Sequence, residues 1–289
     1  MPAHTTLPLE AGIGLKPEHY SSVLGAAEGG VLPGWVEVHP QNYFGDGGPP
    51  HRWLSAIAEI LPLSFHSVGL SLGSAQGCDR DELERLARLT QRYQPVMVSD
   101  HLSWSMIDGE HYPDLLPIPY TYEALAHFEA EIARVQDRLR RPMLIENPSR
   151  YLAWNDDAMT EPEFLTALCR RAGCGLLFDI NNVEVSANNV GFDAADYVDA
   201  IDPALVCEIH LAGHAVEMHP HGALMIDDHG SPVSDVTWNL YSRFIDRAGP
   251  RPTLIEWDTA VPTYERLTAE AAIAQAVLDQ ARHDHAHAT

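Results

Sequence analysis

One recurrence limits the fold more than any other feature of this chain. Short apolar or β-rich runs come back eight times, and most of them close on a polar residue. The runs span 12–15, 35–39, 63–66, 96–101, 143–146, 175–179, 206–210 and 253–256. Helical patterns lie between most of them. Leu125, Phe128, Ile132, Val135 and Leu139 recur at helix spacing, and Thr160 with Glu163 reads as a capping box opening the next helix. Leu83, Leu86 and Ala87 mark another helix, and the alanine-rich segment after Tyr264 marks the last. Strands alternating with helices across short gaps build a parallel sheet. Eight such units in 289 residues predict a closed α/β barrel of the TIM-type (β/α)8 class, folded as a single domain. No glycine-rich dinucleotide fingerprint follows an early strand, which argues against an open doubly wound sheet. The expected organisation is an N-terminal extension over 1–10, a barrel over 11–280 and a disordered, histidine-containing tail over 281–289.

Composition narrows the partners. A net charge of −23 repels nucleic acid and anionic membranes. No apolar window is long enough to span a bilayer, and 1–15 lacks a basic segment followed by an apolar one, so no secretory signal is read. The four cysteines, Cys78, Cys169, Cys174 and Cys207, form no CxxC pair, as expected for free thiols in a reducing cytoplasm. Three of the 16 histidines, His283, His285 and His287, fall in the tail, where metal binding would be adventitious.

The polar strand ends carry the chemistry. The second run ends at His39, with Gln41 and Asn42 just beyond, and the third ends at His66. The fourth ends at Asp100 and His101, the fifth at Glu146 and Asn147, and the sixth at Asp179 with Asn181 and Asn182 following. The seventh ends at His210, with His214 after it, and the eighth at Glu256, with Asp258 after it. In a barrel these ends converge on one mouth. Imidazoles and carboxylates half-buried together cannot all stay charged and unpaired, and a cluster of two or three metal ions resolves that conflict. A shared carboxylate such as Glu146 can bridge two ions. The donors are nitrogen and oxygen, which suits iron, manganese or zinc and disfavours Cu(I) and iron–sulfur clusters. Glu37 and Glu208 share a face with His39 and His210 one layer deeper, where they would hold ligands in place. Two connections are long, 103–120 and 211–234, and both leave the mouth. Trp104 and Tyr112 are candidate walls of a trough for an extended chain.

Seven segments match a known family in order along the chain: 65–73 (FHSVGLSLG), 99–104 (SDHLSW), 114–121 (DLLPIPYT), 145–151 (IENPSRY), 178–182 (FDINN), 209–214 (IHLAGH) and 254–258 (LIEWD). Together they resemble the multinuclear non-heme iron-dependent oxidative enzymes, the family of the methanobactin biosynthetic enzyme and the bufferin-type peptide maturases. The resemblance implies a TIM-type barrel with two or three iron ions in mixed Fe(II)/Fe(III) states. It implies O2-dependent modification of a ribosomally made precursor peptide, often at cysteine, to an oxazolone or thiooxazole. A small partner protein that delivers the peptide is implied as well. Carried over by position, His66, His101, Glu146, Asp179, His210 and Glu256 match the iron ligands. His214, Asp227 and His229 match a third metal position, with Asn147 and Asn181 as further candidates. His210, Glu146 and Asp179 are expected at the reacting centre. This chain carries Gln41 where relatives often have Glu, and Asp114 where they have Asn.

Three other readings share parts of this pattern. A trinuclear zinc barrel hydrolase of the endonuclease type would use a similar mouth, but the acidic charge and the lack of a basic stripe weigh against it. A sugar isomerase would use two divalent ions on the same barrel. A non-catalytic metal-storage or peptide-delivery protein would not need ligands at so many strand ends. The metal bound discriminates among them.

Overall fold

The structure, a computed structural model, describes residues 6–220 and 222–287, side chains of 285–287 excepted. Residues 1–5, His221 and residues 288–289 of the extension, the long loop and the tail lie outside the described residues. All eight runs appear as strands: β1 (Ala11–Gly14), β2 (Val36–Val38), β3 (Leu63–His66), β4 (Met97–His101), β7 (Leu144–Glu146), β8 (Gly175–Asp179), β9 (Val206–Leu211) and β12 (Thr253–Ile255). They pair in parallel in that order, and β12 closes onto β1, so the sheet is a closed barrel. The remaining strands form two antiparallel hairpins outside it, β5 (Trp104–Ile107) with β6 (Glu110–Leu116) and β10 (Ala215–His219) with β11 (Gly222–Ile226). The two long connections are therefore ordered ribbons that rise from the C-terminal ends of β4 and β9. In order along the chain the helices are α1 (Tyr20–Ala26), α2 (Pro49–Ala58), α3 (Arg80–Tyr93), α4 (Tyr122–Leu139), α5 (Glu161–Ala172), α6 (Ile180–Ser186), α7 (Ala194–Ala200), α8 (Asp235–Ala248) and α9 (Tyr264–His287).

Local chemistry accounts for the helix ends. Asp79 accepts from the Asp81 and Glu82 amides to start α3. Thr160 and Glu163 form the reciprocal capping box that opens α5, and Gly173 closes it at φ 66°. On α4 the five residues read at helix spacing are all buried. α9 continues through His287, so the residues from 281 that are expected as a disordered tail extend the helix instead. Ala274, Leu278 and Ala281 are buried on one face, which carries the helix beyond the predicted boundary.

Alternation along each strand divides the residues into two sets. Ile13, Val36, Val38, Phe65, Val98, Ile145, Phe178, Ile209 and Ile255 join the large apolar core with the surrounding helices. The other set fills the barrel interior. At the bottom, Leu7 from the extension packs with Trp35 and Leu254 as a separate apolar plug. Above the plug lie Glu37, Ser64 and Glu208, all buried, and above them the polar strand ends. The interior is thus apolar at its foot and increasingly polar toward the mouth.

Gly12 lets the plug close. A Cβ there would lie 2.5 Å from two ring carbons of Trp35, whose Nε1 is tied to the Glu10 carbonyl at 3.0 Å. Gly12→Ala is expected to destabilise the fold by roughly 1–3 kcal/mol, the range for overpacking. Gly25→Ala, in α1 with nothing within 4 Å of the new Cβ, is expected to be neutral or stabilising by up to roughly 1 kcal/mol. Denaturant midpoints of the two variants check this, and equal midpoints would refute the plug.

Candidate metal centre

The strand ends meet as the register requires. His101 on β4 lies beside Glu146 on β7, and Asp179 on β8 lies beside His210 on β9. His66 Nε2 and His101 Nε2 are 3.2 Å apart, and Glu146 Oε2 is 3.1 Å from the first and 3.3 Å from the second. Three donor atoms thus face a common point. His66, His210 and Glu256 form a second convergent group, and Glu146, Asp179 and His210 a third. Glu146 and His210 each belong to more than one group, so the three share walls in one buried cluster.

Neighbouring groups aim the donors. His66 Nδ1 is 2.8 Å from Ser99 Oγ, which leaves Nε2 for the cluster. Asp179 Oδ1 accepts from the Asn182 amide at 2.6 Å while capping α6, and Oδ2 has no hydrogen-bond partner. Glu146 Oε1 accepts from Asn182 Nδ2 at 3.3 Å, and Oε2 is likewise without a hydrogen bond. His210 Nε2 faces Glu37 Oε1 at 3.0 Å and Glu208 Oε1 at 3.5 Å, while Nδ1 faces Glu256 Oε2 at 3.1 Å. Ser64 donates to Glu37 at 2.7 Å. The deeper carboxylates therefore orient His210 from below, as the sequence predicts.

Electrostatics separate the members. Burial, with His101 and His210 beside it, holds His66 well below the ordinary histidine range, and burial brings His101 down to about 4. Both rings are neutral and present lone pairs. Burial pushes Asp179 up to about 7 and Glu146 well above the ordinary carboxyl range. Around His210 burial opposes a charge, but Glu37, Glu208 and Glu256 outweigh it and hold the ring well above its usual value. Glu256 lies well below its own, because His229 and His210 outweigh the effect of burial.

The third position is built from the long ribbon after β9. His229 Nε2 is 2.7 Å from Asp227 Oδ1, and its Nδ1 is 3.4 Å from Glu256 Oε2. Asn181 joins two members, donating from Nδ2 to Asp227 at 2.8 Å and lying through Oδ1 at 2.9 Å from His214 Nδ1. Asn147 is placed differently. Its Nδ2 donates to the Asp179 carbonyl at 2.8 Å, and its Oδ1 accepts from the Asp179 amide at 2.9 Å. Both amide ends are engaged, so Asn147 clamps the Asp179 backbone and is not free to ligate.

Of the other strand-end residues, His39 joins Glu256 and Asp258 in a further convergent group at the rim, its Nε2 3.9 Å from Glu256 Oε1, and the rest separate from the cluster. Asp100 has the opposite parity to His101 and accepts from the Leu70 and His101 amides instead. His39 sits at the rim, 3.3 Å from Asp258 Oδ2, and Asp258 also pairs with Lys16. Gln41 donates to Ser67 at 2.9 Å and to Glu82 at 2.7 Å. A glutamate there would set two carboxylates against each other, so this departure is matched by Glu82. Asp114 lies on exposed β6 and accepts from the Leu115 amide. Trp104 and Tyr112 pack edge to face at 5.7 Å on the first hairpin.

The sequence names Asn182 but not its role, and it does not single out Glu184. Asn182 holds Glu146 and Asp179 together. Glu184 accepts from Thr237 Oγ1 at 2.6 Å and from Ser234, and its Oε1 lies 3.9 Å from His214 Nε2. The spacing from Asn181 to Glu184 is one helical step, a signal that becomes legible only once α6 is known to begin at the end of β8.

The donor set fits metal ions. Donors about 2.1 Å from one ion at octahedral or tetrahedral angles are about 3.0–3.4 Å from each other. The His66, His101 and Glu146 atoms meet that spacing, and buried oxygens of Glu146 and Asp179 lack any hydrogen-bond partner.

The comparisons agree with this architecture. A UPF0276 protein of Caulobacter vibrioides is 49% identical over 269 residues, covering 93% of this chain and 94% of that one. A UPF0276 protein of Rhizobium meliloti is 46% identical over 280 residues, covering 96% and 90%. A xylose isomerase-like TIM barrel protein from Mycobacterium smegmatis, solved in complex with magnesium, superposes with a TM-score of 0.60 at 12% identity over 97% of this chain and 99% of that one. Endonuclease IV from Thermus thermophilus superposes with a TM-score of 0.57 at 15% identity over 94% and 99%. These two likenesses show the barrel fold alone. Residues 10–279 match the profile described as RiPP precursor modification enzyme MbnB/TglH/ChrH, and this chain belongs to that family.

Proposed function

We propose that this chain is a multinuclear non-heme iron oxidoreductase that uses O2 to modify a cysteine of a ribosomally synthesised precursor peptide. The observation that carries the reading is the convergence of His66 Nε2, His101 Nε2 and Glu146 Oε2 at 3.1–3.3 Å, buried and next to two further groups that share Glu146 and His210. Nitrogen-rich sites with carboxylates suit iron better than all-oxygen sites do, and cysteine is absent from the cluster. His66, His101, Glu146, Asp179, His210 and Glu256 would hold two ions, and Asp227, His229 and His214 a third. Iron so held would supply one-electron chemistry with O2 and an open position for a soft thiolate.

The chain's own groups prepare that site. Ser99 meets His66 Nδ1 and leaves Nε2 toward the centre, and Glu37 faces His210 Nε2 and leaves Nδ1 toward Glu256. Asn182 holds the Asp179 and Glu146 carboxyl groups, and Asn147 holds the Asp179 backbone. The two hairpins follow β4 and β9 at the C-terminal end of the barrel and would wall a trough for an extended chain. The acidic surface favours encounter with a basic precursor or a basic delivery partner. Among the described residues no helix is long and apolar enough to cross a membrane, and four free cysteines suit a reducing cytoplasm.

Metal content tests the division of roles. Glu146→Ala is expected to lose more iron than His229→Ala, because the first removes a shared donor and the second a ribbon-borne one. Elemental analysis of the two folded variants checks it, and equal loss would erase the distinction. Zinc filling the unaltered protein, with no activity regained on iron loading, would instead favour a hydrolase.

Co-expression with candidate cysteine-containing precursor peptides and small partner proteins drawn from the neighbouring genes tests the reaction. Mass spectrometry is expected to show a changed precursor mass that depends on O2 and is lost in His210→Ala. An unchanged mass with iron-loaded protein, partner and O2 all present would refute the assignment.

A further inference from the structure

The ribbon that carries Asp227 and His229 is not held in place by apolar packing. Among the described residues of 214–232 none is fully buried, and Val216 and Met218 on β10 stand 51% and 78% exposed. The two strands of the ribbon pair only with each other, which leaves β11 with a second edge. The backbone groups along a strand edge must find partners elsewhere, in water or in the protein. What meets this edge therefore decides where the ribbon sits.

Two asparagine side chains take that edge. Helix α6 leaves the end of β8 and runs on into a π turn over Ala187–Gly191. From that turn Asn189 accepts from the Met225 amide at 3.0 Å and donates to the Met225 carbonyl at 2.9 Å. Its carboxamide thus pairs with one residue of β11 as a neighbouring strand would. Asn188 donates to the Ala223 carbonyl, two residues back along the same edge, and to Asn189 Oδ1, both at 3.0 Å. Asparagine is a weak helix former, so local propensity does not account for two in succession. A π turn adds one residue to a helical turn and is frequent at functional sites. Here it turns both asparagines toward one strand edge.

The same helix reaches the ribbon at two other points. Asn181 meets Asp227 and His214, and Glu184 accepts from Ser234 and Thr237, where the chain passes into α8. Met225 lies two residues before Asp227 and four before His229. His229 has φ 46°, a left-handed conformation that a residue with a Cβ holds only when its surroundings impose it. The Asp258 amide donates to the His229 carbonyl at 2.8 Å and fixes one side of that turn, while the docked β11 fixes the other. We propose that Asn189 is the positioning residue that docks the ribbon, and that the third metal position is assembled only while this latch is closed. The proposal rests on the metal reading above. None of the six buried strand-end donors lies on the ribbon, so opening the latch costs one ion and spares the other two.

Elemental analysis counts bound ions of any metal without turnover, so the test is independent of the oxidation chemistry. Asn189→Ala is expected to carry one ion fewer per chain than the unaltered protein, with the others retained and the melting temperature little changed. Asn189→Asp keeps the shape but sets an oxygen in place of the donor against the Met225 carbonyl, and it is expected to lose the same ion. In the metal-free protein the Met225 amide is expected to exchange its hydrogen on the order of tenfold to a hundredfold faster in Asn189→Ala, the effect of two lost hydrogen bonds. The amides of β9 should exchange as before. Asp227→Ala serves as the reference, because it removes a donor of the third position outright. An ion lost in Asp227→Ala but kept in Asn189→Ala would overturn the latch and leave the metal reading standing. So would loss of all ions together in Asn189→Ala, retention of the ion in Asn189→Asp, or unchanged exchange at Met225. An ion content unaltered in both Asp227→Ala and Asn189→Ala would remove the third position itself, and the latch with it.

Discussion

The structure turns on one conflict. Six imidazole and carboxyl side chains from six strands are buried at the mouth of one barrel, and they cannot satisfy one another by hydrogen bonding alone. His66 and His101 bring two ring nitrogens within 3.2 Å, and Glu146 adds an oxygen that finds no donor. Apolar packing cannot close this end, because six of its strand ends turn imidazole or carboxyl groups into the interior. Cations would resolve the conflict, since each ion accepts several lone pairs at once and would convert carboxyls held above their usual range back to carboxylates.

The layers beneath follow from that demand. A cluster of donors works only if each is aimed, and aiming needs a rigid second tier. Glu37, Ser64 and Glu208 supply it under His210, where burial together with Glu37 pushes Glu208 up to about 8. That polar tier would admit water from below without a seal. Leu7, Trp35 and Leu254 form the seal, and Gly12 leaves room for the indole. The apolar foot, the acid tier and the metal-competent mouth are successive levels of one interior, each made necessary by the one above.

The mouth is framed by ordered ribbons rather than loose loops. One brings Asp227 and His229 down onto Glu256, so a binding surface and a metal position share one element. The loop after β7 runs from Glu146 to Arg150, whose amide donates to Ser186 at the end of α6. Both segments are joined to residues of the centre by short stretches of backbone.

Much of this was legible in the sequence. Runs of β-type residues ending in His66, His101, Glu146, Asp179 and His210 determine both the barrel and the chemistry of its mouth, because period-two alternation fixes which residues share the interior and parallel pairing fixes which end they share. The deeper position of Glu37 and Glu208 follows from the same count. Other features depended on tertiary structure. Asp100 and His101 look alike as strand ends, but parity sends Asp100 outward to the Leu70 amide. Asn147 looks like a ligand in one dimension, yet it becomes a clamp because Asp179 sits on the next strand. Residues 281–287, read as part of a disordered tail, continue helix α9, where Ala281 is buried. The pairing of Asn189 with Met225 joins two separate connections, and no spacing along the chain announces it. Periodicity determines which face a side chain takes, whereas which distant group it meets on that face depends on the closed sheet that brings the strands together.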